Sequence, residues 1–111
     1  MGAEKIIRIA RIPATAHPLP IWLSDQPIPA EWVAISLVRP EFPGRPPSYV
    51  LYFIDCAGEI LEFLSWESMR IALDQARHLA RVDESGWSSC EIDVPLDGPI
   101  DTALFLKYHA G

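Results

Sequence analysis

Hydrophobic and polar positions alternate along this chain in short runs, and one run changes period. Trp32 to Val38 (WVAISLV) has period two: Val33, Ile35 and Leu37 face one way, and Trp32, Ala34, Ser36 and Val38 face the other. That predicts a strand. Tyr49 to Asp55 is apolar on both faces, which predicts a central strand covered at least in part on both sides. Asp55-Cys56-Ala57-Gly58 has turn chemistry, so Glu59 to Leu64 returns as the antiparallel partner in a hairpin. The period then becomes helical. Met69, Ala72, Leu73, Ala76, Leu79 and Ala80 fall on one stripe, with Glu67, Arg70, Asp74, Arg77, His78 and Arg81 opposite. Ser65 is the expected N-cap, and Asp83-Glu84-Ser85-Gly86 the break.

The flanks are plainer. Glu4 to Ile12 is isoleucine-rich and predicts a strand, although Ile6 and Ile7 spoil the alternation. Trp87 to Val94 alternates with Cys90, Ile92 and Val94 inward and Ser89, Glu91 and Asp93 outward. Asp101 could cap a short terminal helix, Thr102 to His109, packed through Leu104, Phe105 and Tyr108. Pro13, Pro18, Pro20, Pro27 and Pro29 exclude a long helix or a central strand between the first two strands. Ile21-Trp22-Leu23 is expected to anchor that segment on the core.

These elements predict one α+β domain over residues 1–111. Its core is an antiparallel sheet of four or five strands. One long amphipathic helix packs on one face, and the N-terminal half is proline-rich. The second apolar face needs a cover: the 13–29 segment, the C-terminal segment or, in a homodimer, a second copy.

Composition narrows function by exclusion. The chain has 111 residues, 50% of them hydrophobic, which suits one globular core. Its formal net charge is −6, from 15 acidic and 9 basic residues. That disfavours nucleic acid and anionic membrane as partners. Cys56 and Cys90 form no disulfide framework and are expected as reduced thiols. The opening residues lack a signal peptide's basic and apolar regions, and no apolar run approaches a bilayer span, so a cytoplasmic location is expected.

Catalytic signatures are sparse. His17, His78 and His109 are scattered, and no CxxC or HExxH spacing occurs, so no metal is expected. The glycines are isolated, which leaves no phosphate cradle, and no GxSxG elbow is present. No cofactor is expected, and the balance leans against an enzyme without excluding one. The carboxylates remain: Asp55, Glu59 and Glu62 around the hairpin, Glu91 and Asp93 on the last strand. They could form one acidic surface for a basic protein partner, or simply be solvated positions. A different possibility is a small ligand-binding domain or enzyme with a pocket between the sheet and the 13–29 segment, bordered by His17, Trp22, Trp32 and Tyr52. A third is a structural subunit of an oligomer.

The run YVLYFIDCAGEILEFLSWESMRIALDQA, followed by a strand opening at Trp87, resembles small bacterial proteins similar to the immunity proteins of toxin systems. Asp55, Gly58, Glu59, Ser65 and Trp66 carry the resemblance, which spans about residues 49 to 95. Met69 and Arg70 depart from that pattern, and the proline-rich first half has no counterpart in it. The resemblance supplies no catalytic motif. It implies a binding protein that inhibits a partner.

Overall fold

The computed structural model of the chain describes residues 4–12, 30–40, 44–95 and 98–110. Five strands form one antiparallel sheet: β1 (Glu4–Arg11), β2 (Trp32–Val38), β3 (Ser48–Ile54), β4 (Ile60–Trp66) and β5 (Ser88–Asp93). Their order across the sheet is β4-β3-β2-β1-β5. The first four strands form a meander. The chain then crosses the sheet through α1 (Met69–Ala80) and adds β5 beside β1. A second helix, α2 (Thr102–Ala110), follows.

One long helix on one face is therefore not what forms. Among the described residues there are two short α-helices, one on each face. α1 has 12 residues and is shorter than expected at its start. Ser65 does not cap it: Ser65 pairs with Val50 and Trp66 with Tyr49, so the strand continues through both. Sheet pairing overrides the local capping preference, and Ser68 takes the cap, its Oγ accepting from the Ile71 amide at 3.4 Å. At the other end Arg81 turns left-handed (φ 57°), and its amide donates to the Arg77 carbonyl.

The two faces form two cores. Beneath α1 lie Val33, Ile35, Leu51 and Phe53, met by Ala72, Ala76 and Ala80. Alanine every fourth residue lets the helix backbone approach the sheet closely. On the opposite face Ile6, Ile9, Ala34, Tyr52, Ile54 and Ile92 pack with Trp32, Ile100 and Phe105. The C-terminal segment thus covers the second apolar face, at least over part of its area. Leu104 and Leu106 on α2 point outward, so Phe105 carries that contact.

The irregular alternation of β1 has a structural cause. The register of β1 shifts between Ile6 and Arg8 on both of its neighbours. Ile7 is the extra residue against β2, and the bulge returns Ile6 and Ile9 to the same buried face.

Candidate functional site

The five predicted carboxylates do not form one surface. Asp55, Glu59 and Glu62 lie at the β3–β4 hairpin on one edge of the sheet, and Glu91 and Asp93 lie on β5 at the other. Four strand spacings separate the edges, about 19 Å. The registers also put the two groups at opposite strand ends: Ile54 pairs with Ile60 beside the turn, and Asp93 pairs with Lys5 at the start of β1.

Two of the carboxylates have local duties. The Asp55 Oδ1 accepts from the amides of Ala57 and Glu59, both at 2.9 Å, and so builds the turn. Glu91 accepts from Lys5 Nζ at 2.9 Å, with Asp93 at 4.0 Å from the same ammonium. This hydrogen bond, reinforced by charge, raises the Lys5 pKa and lowers that of Glu91. Glu59 stays exposed at the hairpin, and Glu62 is half-buried on the α1 face opposite Phe53.

The residues of the alternative pocket are divided too. His17 and Trp22 lie outside the described residues. Trp32 and Tyr52 share the second core, but Trp32 is enclosed: Phe105 lies at 5.4 Å, the His109 ring meets it edge-on at 5.6 Å, and the Arg11 guanidinium sits over it at 5.4 Å. Tyr52 donates its hydroxyl proton to Glu4, and the buried Ser36 hydroxyl donates to the same carboxylate at 3.3 Å. Burial, then the Glu4 carboxylate, pushes the Tyr52 phenol well above its ordinary range. This network satisfies polar groups inside an apolar face; its members have partners rather than a reactive vacancy.

Among the described residues, no three His, Cys, Asp or Glu side chains converge to hold a metal ion, and no helix is long and apolar enough to cross a membrane. Asp74 forms a loose ion pair with Arg77 at 3.8 Å on the outer face of α1, and His78 is exposed there.

The two thiols differ sharply. Cys56 is exposed in the hairpin turn. Cys90 is half-buried, donates to the Ile6 carbonyl at 3.5 Å, and is pushed by burial up to a pKa of about 11, against a smaller opposing effect of Arg8. Since the thiolate is the nucleophile, alkylation at pH 8 should modify Cys56 first, with Cys90 slower by about a hundredfold or more. The Cys90 rate should climb with pH until it levels near pH 11. Mass spectrometry of timed samples would check this, and equal rates at pH 8 would contradict it.

The feature that sequence reasoning missed is the outward face of β4. Phe63 is 62% exposed and Ile60 38%, both on an edge strand, with the Tyr52 ring 6.2 Å from Phe63. Among the described residues nothing pairs with the outer edge of β4. Edge strands usually carry a lysine, a proline or several charges that discourage further pairing. β5 has Glu91 and Asp93, whereas β4 (ILEFLSW) has Glu62 alone. The hydrophobic stripe is legible in the sequence, but the strand order that leaves it exposed is not. Comparison with protein-family models, curated proteins and solved structures finds no match to this chain.

Proposed function

We propose that the protein is a non-enzymatic binding domain that takes a protein partner onto the hairpin edge formed by β4. The observation that supports this most is Phe63, a large aromatic side chain 62% exposed on a strand edge that has no neighbour among the described residues. A strand laid along β4 would pair with its outer backbone groups, which have no strand partner among the described residues, and an apolar side chain could pack over Phe63 and Ile60. Exposed Glu59 at the turn supplies an acidic group beside Ile60, and Glu62 another on the opposite face of the same strand, which suits a partner strand carrying basic residues. Glu91 and Asp93 belong to the opposite edge and take no part. An immunity-like role, in which the partner is a toxin domain blocked in the cytoplasm, agrees with the resemblance of residues 49–95.

Site-specific photo-crosslinking in cells tests this. A crosslinker at position 63 should trap one discrete protein, and a crosslinker at Ser89 on the far edge should not. Phe63→Asp with Glu59→Lys should abolish recovery of that protein while the variant keeps its melting temperature. Equal labelling from both positions, or recovery unaffected by the double variant, would refute β4 docking. Trapping of a second copy of the chain would replace the foreign partner with self-association.

A further inference from the structure

We infer a second binding site, on the α1 side of the sheet beside β1 and β5, for a small amphipathic organic anion. Among the described residues α1 makes its main contacts with β2, β3 and β4, away from this corner of the sheet. A cavity of about 510 Å³ opens there, within the usual range for small-ligand sites. Its charged lining is Lys5, Arg8 and Arg39, with Glu91 at the edge, and its apolar lining is Ile7, Leu37 and Cys90. Three of the nine basic residues of an acidic chain therefore meet at one cavity.

The β1 bulge builds this arrangement. Residues 6 to 8 are where the register shifts against both neighbouring strands, and Ile7 and Arg8 both line the cavity. Bulges re-aim side chains and are common beside binding sites. The Arg8 guanidinium is held half-buried by a 2.8 Å bond from Nη1 to the Ile7 carbonyl, which leaves other N–H groups to donate. Among the described residues, neither Arg8 nor Arg39 has a carboxylate within ion-pair distance. Arg39 lies close enough to Lys5 to oppose its protonation, so like charges are gathered here, with Glu91 and Asp93 the carboxylates that act on Lys5 among the described residues. An incoming carboxylate or phosphate would take donors from Arg8 and Arg39 and compete with Glu91 for Lys5. An apolar body would lie against Leu37 and Ile7. The site is independent of partner docking on β4, which lies at the other edge of the sheet.

The test is titration of the purified protein with octanoate, hexyl phosphate, inorganic phosphate and octanol, followed by backbone amide shifts. Octanoate or hexyl phosphate should move the amides of Lys5, Arg8, Leu37 and Arg39, and the tighter of the two names the head group. Octanol should leave them in place. Arg39→Ala, an exposed change, should weaken binding about tenfold, the worth of one charge-assisted hydrogen bond. Glu91→Gln should tighten it by removing the competitor. Absence of shifts at these four positions at millimolar concentration, or shifts that survive Arg39→Ala undiminished, would overturn the site. Inorganic phosphate binding as tightly as the amphiphiles would overturn the apolar half of the assignment.

Discussion

Replacing Gly58 with alanine should cost about 2–5 kcal/mol, through a left-handed backbone and a backbone collision. Gly58 has φ 88°, a conformation that side chains disfavour. A Cβ at this position would lie 1.9 Å from the Ile100 carbonyl oxygen and 3.0 Å from its carbon. Neither atom belongs to a flexible side chain. The Gly58 carbonyl also accepts the Ile100 amide at 2.8 Å, and Ile100 is buried in the second core. The hairpin turn is thus the seat on which the segment leading into α2 rests. Gly44 provides the control. Its φ is 90°, but among the described residues a Cβ there would meet nothing within 4 Å, so Gly44→Ala should lose only the conformational part, about 1–2 kcal/mol. Urea unfolding of both variants separates the two effects. Equal losses would mean that the Gly58–Ile100 junction yields easily and does not anchor the C-terminal segment.

That junction also marks how far the sequence could be read. The strands at Trp32–Val38 and Tyr49–Ile54 were legible because their alternation and two-sided apolarity follow directly from burial on both faces. The alanine stripe of α1 was legible for the same kind of reason. The start of the helix was not: Ser65 and Ser68 are equally good caps by type, and only the pairing of Ser65 with Val50 decides between them. The irregularity at Ile6 and Ile7 was visible, but a bulge depends on the partners' register, which one strand does not carry. The contact of Gly58 with Ile100 joins residues 42 positions apart and has no local signature.

The candidate sites were less legible, because each depends on strand order. The acidic residues at the hairpin and on β5 look like one group in sequence composition. They become two groups once β4 and β5 occupy opposite edges. Lys5, Arg8, Leu37 and Arg39 look unrelated until the β1–β2 pairing sets Lys5 against Leu37 and gathers them around one cavity. Phe63 reads as an ordinary strand residue until its strand proves to be an edge. Asp55 was legible as a turn residue, and its two amide contacts show why its carboxylate is less available to a partner than that of Glu59.

Truncation of Phe105 should be costly as well, about 3–5 kcal/mol for an aromatic side chain deleted from a core. Phe105 is fully buried, although α2 has only nine residues and turns Leu104 and Leu106 outward. A helix of that length is marginal in water on its own, so tertiary contact must hold it. Phe105 provides that contact by packing on Trp32, with Tyr108 half-buried beside it. Phe105→Ala leaves a cavity over Trp32 and removes the main reason for α2 to dock. The His109 ring, 5.6 Å from Trp32 and within 3.4 Å of the Ser88 hydroxyl, is expected to leave with it. The variant should therefore show a lower urea midpoint and a red-shifted indole emission before global unfolding, as Trp32 meets water. Leu106→Ala, one residue away and exposed, should change stability by no more than about 0.5 kcal/mol. Since a stability of about 5–15 kcal/mol is usual for a domain, the Phe105 loss could consume most of it, and Phe105→Leu then keeps the test informative with a smaller cavity. Equal effects of Phe105→Ala and Leu106→Ala would show that α2 is an appendage and that the second face of the sheet is held by something else.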